Sequence, residues 1–228
     1  MTHSLPLKLH LEHTAISTYS RLLDKLTDSN KTNSHISHWK RKITELNIKL
    51  IDTDRTAKLN LHNTFSVNTQ TFGENYKQHL IHSQINIYTD GSKTSKGTGA
   101  VFVIFNKTEM IHKDYIPLAY TATIFQAEVI AITRAIKFVQ KMKRTLKPKY
   151  IKLFSDSRAT LQALNSYNVK STLVQEAVDQ LNQLGQYSER ITLNWIKAHN
   201  NHKGNEYADI MANIAANCTV NKSIYKFQ

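Results

Sequence analysis

Cysteine, proline, glycine and acidic residues are all scarce in this sequence. Its 228 residues include one cysteine, three prolines and six glycines. The lone Cys218 cannot close an internal disulfide, which excludes a disulfide-stapled small fold. No apolar run approaches the roughly 18 residues that span a bilayer, and no basic start leads into an apolar stretch of the secretory kind. These absences lead to the expectation of an intracellular chain, nuclear or cytoplasmic, not secreted and with no membrane partner. Acidic residues number 17 against 30 lysines and arginines, for a formal net charge of +13 and a pI near 9.7. A balance of that sign favours a polyanionic partner, nucleic acid ahead of an acidic membrane surface. What is present suffices for a core: 40% of the residues are hydrophobic. The length suits one domain of ordinary size with an appendage.

The organisation changes near residue 84. Before it there are eleven Lys/Arg and seven Asp/Glu, after it nineteen and ten, and eight of the eleven histidines fall in the first part. "HLEHTAISTYSRLLDKL" has the spacing of an amphipathic helix through Leu11, Ile16, Tyr19, Leu22, Leu23 and Leu26. A polar loop, "TDSNKTNSH", separates it from a second expected helix, "WKRKITELNIKL", and residues 52–80 show little periodicity. Residues 1–83 therefore read as a mostly helical extension, 84–218 as the main domain and 219–228 as a tail. His10 and His13, and His35 and His38, are spaced as helical neighbours. Without a cysteine pair or carboxylate cluster to complete four ligands, they read as solvent-facing side chains rather than a zinc site.

From residue 85 the pattern is regular. "INIYTD" alternates Ile85, Ile87 and Thr89 against Asn86, Tyr88 and Asp90, and "GAVFVIFN" and "EMIHKDYIPL" follow as strands, three segments joined by short polar turns, an antiparallel meander. Phe125, Val129, Ile132, Ile136 and Val139 then mark a helix that starts after a threonine cap. "KPKYIKLFSDS" is a strand running into Asp156, with Asp156 or Ser157 suited to cap the short helix that follows. A helix over about 171–185, the strand "ITLNWIK" and a last helix in "GNEYADIMANIAANC" complete the chain. Strands followed by alternating helix and strand predict a mixed sheet with helices on its faces.

Four carboxylates occupy matching places in that order: Asp90 and Asp156 at strand ends, Glu128 and Asp209 at helix starts. Gathered at one sheet edge, they would repel one another and push some pKa values up unless cations neutralise them. An oxygen-only ligand set favours magnesium or manganese over zinc. Half of the glycines, Gly91, Gly97 and Gly99, fall within nine residues of Asp90. They read as a sharp turn at Gly91 that lets backbone approach a sugar–phosphate, and as shaping the hairpin that follows.

"YTDGS", "QAEVIAI", "FSDSRATLQAL" and "WIKAHNNHKGNEYADIMA" resemble, in order and spacing, the four motifs of the type 1 ribonuclease H fold. "YTDGSK" with a following GxG, "QAE" and the "WxxxHxxxxGNExAD" ending are most similar to the ribonuclease H domains of non-LTR (LINE-type) retrotransposon polyproteins. The resemblance covers residues 84–218. It implies a five-stranded mixed sheet, with the first three strands antiparallel and the rest parallel, and helices on both faces. It also implies hydrolysis of the RNA strand of RNA–DNA hybrids, independent of sequence, leaving 5′-phosphate and 3′-hydroxyl ends. Asp90, Glu128, Asp156 and Asp209 match the family's carboxylates for two Mg2+ ions, with Mn2+ able to substitute, and His199 matches its histidine for proton transfer or product release. Ser92 matches a backbone-contacting position. With Gly91, Gln126 and Ser157 it makes the set of candidate substrate contacts, Gln126 being the donor suited to the 2′-hydroxyl that distinguishes RNA.

Other positions read more plainly. Trp195 reads as core or edge packing, and Gly204, Asn205 and Glu206 as the opening of the last helix. "KFVQKMKRTLKPKYIK" reads as a soluble helix end whose cations suit the helix dipole. Two departures stand out: "NSYNVKST" is too short for the basic handle of many cellular relatives, and Lys197 and Ala198 replace the usual "PG" before the histidine. They make a reverse transcriptase domain or polyprotein a candidate partner, and the opening "LPLKLHLEHTAISTYSRLL" resembles the helical region that follows the polymerase in such polyproteins, which implies residues 1–83 as a remnant of it. The alternative is a catalytically idle hybrid-binding or polymerase-positioning module of a truncated element. A transposase or integrase of the same broad fold has no need of the fourth motif.

Overall fold

The computed structural model describes residues 58–59, 62–70, 84–198 and 202–218, all within one compact unit. The helices expected over residues 10–26 and 39–50, the histidines His10, His13, His35 and His38, and the tail 219–228 lie outside the described residues. Two short strands come first, Lys58–Leu59 (β1) and Ser66–Asn68 (β2). The meander follows as Ile85–Lys93 (β3), Thr98–Asn106 (β4) and Glu109–Leu118 (β5), paired antiparallel in that order. Next are Ile124–Lys141 (α1), the turn of helix Lys143–Leu146 (α2), Tyr150–Ser155 (β6) and Arg158–Leu164 (α3). Asn168–Val169 (β7), Thr172–Gly185 (α4), Arg190–Trp195 (β8) and Lys203–Asn217 (α5) complete the elements among the described residues.

The main sheet runs β2-β8-β6-β3-β4-β5, with β6 parallel to β3, β8 parallel to β6 and β2 parallel to β8. The five expected strands take their expected directions. A sixth, β2, joins them from the stretch that lacked periodicity. Its three residues carry no alternation of their own; the partner Ser66↔Thr192 to Asn68↔Asn194 defines the strand. The segment is also held from outside the sheet. The Thr64 amide donates to Asn182 Oδ1 at 2.9 Å, Phe65 is buried, and a side chain at Gly185 would run into Thr64. β1 pairs with β7, so the short segment between α3 and α4 is a rung of a two-stranded ribbon.

β3 is central and covered on both faces, so Ile85 to Asp90 are all buried, where a half-exposed strand would alternate. On one face α5 lies on Tyr88, Val101, Val103 and Phe154 through Ala208 and Ala212. The approach is close because a side chain on Gly99 would run into the backbone of Ala212 and Ala216. That glycine and Gly97, whose added Cβ would stand 3.1 Å from the Ala216 carbonyl, therefore serve helix docking rather than the hairpin. The other face receives α1, whose Val129, Ile132, Ile136 and Val139 are buried and whose Phe138 ring meets Phe102 at 6.3 Å. Each such side chain removed from water contributes roughly 1.5–3 kcal/mol. α1 starts where its sequence says: Thr123 accepts from the Gln126 amide, while Gln126 Oε1 accepts from the Thr123 amide, a reciprocal capping box.

Candidate active site

β3 and β6 are parallel neighbours, so their carboxyl ends lie side by side, and each delivers an aspartate there: Asp90 from β3 and Asp156 just after β6. α1 enters over the same end and brings Glu128 in its second turn. Carboxylate oxygens of Asp90, Glu128 and Asp156 all lie within 4.8 Å of one another. Asp209, half-buried on α5, stands outside that tight group, yet its charge acts on Asp90.

Gly91 makes the crowding possible, though not as a turn. β3 continues through it to Lys93, and among the described residues no glycine has a positive φ. A Cβ at Gly91 would stand 3.0 Å from Ala127 Cβ and from the Glu128 amide, so its bare backbone lets the start of α1 settle against the strand. In return the Gly91 N–H donates to Glu128 Oε1 at 3.1 Å. Ser155 Oγ donates to the other Glu128 oxygen at 3.4 Å and accepts from the Ser157 amide at 3.0 Å.

Burial raises the Asp90 pKa to about 7, with Asp156 and then Asp209 adding repulsion, against the Gly91 N–H and Glu128 hydrogen bonds. Glu128 is held well above the usual carboxylate range, first by burial and then by Asp90 and Asp156. The group therefore concentrates negative charge that the low-dielectric setting penalises, and a divalent cation would offset it. The donors are all carboxylate oxygen, which suits hard cations such as Mg2+ or Mn2+. The residues present thus fit a metal.

Asp156 has two supports that the sequence reading missed. Trp195 Nε1 donates to the Asp156 carbonyl at 2.9 Å, and the Arg158 guanidinium lies 4.1 Å above the same indole. Asn205 Nδ2 donates to Asp156 Oδ2 at 3.4 Å. Trp195 is therefore more than packing, and Asn205 does more than open α5. The residue before α5 is His202, which is buried; burial lowers its pKa, opposed by Glu206. Nothing in the local sequence signals that placement.

The other expected residues fall as follows. Ser92 is on β3 beyond Gly91, half-buried, and Ser157 caps α3, its hydroxyl accepting from the Thr160 amide. Gln126 is half-buried at the start of α1, with Oε1 taken by the capping box. His199 lies outside the described residues.

An α/β sheet that gathers carboxylates at the ends of neighbouring parallel strands defines a protein class with an all-oxygen site for hard divalent cations. Within that class, the family model for RNase H matches residues 82–217. The chain belongs to the RNase H family, and with it to the hydrolytic nucleases. It is 28% identical over 140 residues to Ribonuclease H of Campylobacter curvus (strain 525.92), spanning 56% of this chain and 89% of that relative. Among solved structures it is similar to the N-terminal RNase H domain of a Mycobacterium tuberculosis protein, solved as a fusion with maltose binding protein. That pair has a TM-score of 0.48 and 19% identity, covering 59% of this chain and 94% of the other. It is likewise similar to LC11-RNase H1 in complex with an RNA/DNA hybrid, with a TM-score of 0.47 and 23% identity, covering 58% and 96%.

Proposed function

We propose that the protein hydrolyses the RNA strand of RNA–DNA hybrids, independent of sequence, leaving 5′-phosphate and 3′-hydroxyl ends. The observation that carries this reading is the convergence of Asp90, Glu128 and Asp156 within 4.8 Å in a chain of the RNase H family. These three, with Asp209, would hold two Mg2+ ions, and Mn2+ could replace them. Bound there, the ions supply Lewis acidity at the scissile phosphate and lower the pKa of the attacking water.

The chain's own residues prepare that chemistry. Asp90 and Asp156 are fixed by strands, and Asp156 is further held by Trp195 and Asn205. Glu128 is oriented by the Gly91 N–H and by Ser155. Gly91, although its N–H is taken by Glu128, and the hydroxyl of Ser92 beside it are the candidate contacts to the sugar–phosphate. Gln126, with Oε1 committed to the capping box, keeps its amide N–H donors for a 2′-hydroxyl. Ser157, which caps the helix after Asp156, is a further candidate substrate contact, and His199 would help proton transfer or product release, as its match to the family histidine implies.

The "YTDGSK", "QAE" and "GNEYAD" segments support an origin in a non-LTR retrotransposon polyprotein, with a reverse transcriptase domain as the natural partner. The test is cleavage of an end-labelled RNA–DNA hybrid in magnesium, beside RNA–RNA and DNA–DNA duplexes and an Asp90→Asn control. Cutting of the hybrid alone, abolished in the control, is expected. A folded protein that binds the hybrid and leaves it intact in both magnesium and manganese would overturn the reading in favour of an idle binding module.

A further inference from the structure

The end of the sheet opposite the carboxylates carries the basic cluster that the helix-dipole reading does not explain. Gln84 ties this end together: its carbonyl accepts from the Lys107 amide at 2.7 Å, its Nε2 donates to the Leu146 carbonyl at 2.8 Å, and its Oε1 accepts from the Lys149 amide at 2.9 Å. Lys141, Lys143, Arg144, Lys147 and Lys149 are thereby gathered at the start of β3 and β6. Arg190 opens β8 opposite Tyr150, and Lys152 follows one turn of the pleat further on. Of these cations, Lys149 is engaged by Glu189 at 2.8 Å. A helix dipole favours cations only in a last turn. For α1 that accounts for Lys141 alone, and α2 has four residues.

Two observations mark this end as more than a solvated surface. Among the described residues, the non-glycine positions with positive φ are Lys107 (55°) and Lys147 (41°), both lysines and both here. A left-handed position favours glycine or asparagine, so keeping a long cationic side chain at both of them has a conformational cost. Aromatic rings are also exposed among the charges. Tyr150 is 45% and Tyr187 54% exposed, and Lys143 lies 3.7 Å from the centre of the Tyr187 ring. Cations interleaved with exposed aromatic rings are the elements that hold a single nucleic-acid strand.

We propose that this end is a second nucleic-acid site, which grips a single strand with its phosphates on Lys107, Lys143, Arg144 and Lys147 and bases on Tyr187 and Tyr150. Distance selects a single strand over the duplex at the carboxylates. The six residues of β6 put about 20 Å between the two ends at ~3.3 Å per residue. The 18 residues of α1 put about 27 Å there at ~1.5 Å per residue. A stiff duplex seated across one end cannot fold round to the other within a few base pairs, whereas a flexible single-stranded flank can.

The test uses the full chain in EDTA, so that hydrolysis is silent and failure of the proposed activity cannot be mistaken for failure of this site. Fluorescence anisotropy is read with a labelled oligouridine of about 20 nucleotides and, separately, with a short blunt RNA–DNA hybrid. For Lys143→Gln/Arg144→Gln/Lys147→Gln, oligouridine affinity should fall at least about tenfold and the log–log salt slope flatten by about 2. Tyr187→Ala should weaken oligouridine several-fold, and Lys113→Gln on β5 should change nothing. Lys107→Gly/Lys147→Gly should lose affinity while melting no lower than the parent, which separates binding from folding. Unchanged oligouridine affinity and slope would overturn the proposal, as would an equal loss on the blunt hybrid. So would loss confined to vesicles containing phosphatidylserine, since that result would assign the surface to anionic membrane.

Discussion

Trp195 and Asp156 are joined by a hydrogen bond from the indole N–H to the aspartate's backbone carbonyl, 2.9 Å long, across neighbouring parallel strands. The bond fixes the backbone that carries the carboxylate, and Asn205 Nδ2 reaches the carboxylate itself. Trp195→Phe keeps most of the ring and removes the donor. It should cost about 1 kcal/mol of stability. The magnesium concentration for half-maximal hybrid cleavage should rise several-fold, as measured by a metal titration of initial rates.

Asn205 holds the same residue by its carboxylate, from a buried position on α5. Asn205→Ala should weaken magnesium binding, and Asn205→Asp should weaken it less or reverse the effect, because a fourth close carboxylate adds charge for the ion. Isothermal titration with Mg2+ on the folded variants distinguishes the two. In cleavage assays Asn205→Asp should stay impaired, since the added charge also loosens the Asp156 orientation.

The raised pKa of Asp90 couples stability to pH. In the folded protein the carboxyl keeps its proton up to about 7, from an ordinary value of 3.8, because of burial first and Asp156 and Asp209 next. The stabilisation from that retained proton is fully present below about pH 4 and is lost as pH rises through 7; it amounts to on the order of 4 kcal/mol. In EDTA, Tm should therefore fall from pH 5 to pH 8, and fall less in Asp90→Asn. Added magnesium at pH 8 should restore Tm in the parent and have little effect on that variant.

The segment before residue 84 contributes to the same core. Phe65→Ala should destabilise the protein by about 3 kcal/mol in urea unfolding. A chain beginning at residue 84 exposes the β8 edge and should unfold at lower urea and aggregate more readily than one beginning at residue 58. Light scattering on the two chains checks the second effect.

The long elements were legible because their signals are local. Alternation in residues 85–90, the apolar run of 100–105 between short polar turns, the i, i+3, i+4 spacing from Phe125 to Val139 and the Thr123 cap each report on the backbone that carries them. The convergence of Asp90, Glu128 and Asp156 followed from parallel strands ending together, a topological consequence of the element order. β1 and β2 were not legible, since two or three residues have no periodicity and are strands only because Val169 and Leu193 lie opposite them. Gly91 was misread for a related reason. A glycine after an aspartate signals a turn locally, but here the missing Cβ answers to Ala127 and Glu128, which arrive from another element. Trp195 and Asn205 likewise take their roles from Asp156, a partner far away in sequence.

The pairing of Val67 with Leu193 also sets a schedule for synthesis. A ribosome adding roughly 5–20 residues per second delivers β8 some 6–25 s after β2. Until then residues 66–68 have no strand to join, and the half-made sheet has β3, β4, β5 and β6 but not the edge formed by β8 and β2. Among the described strands of this sheet, the nascent chain therefore joins the earliest made to the last.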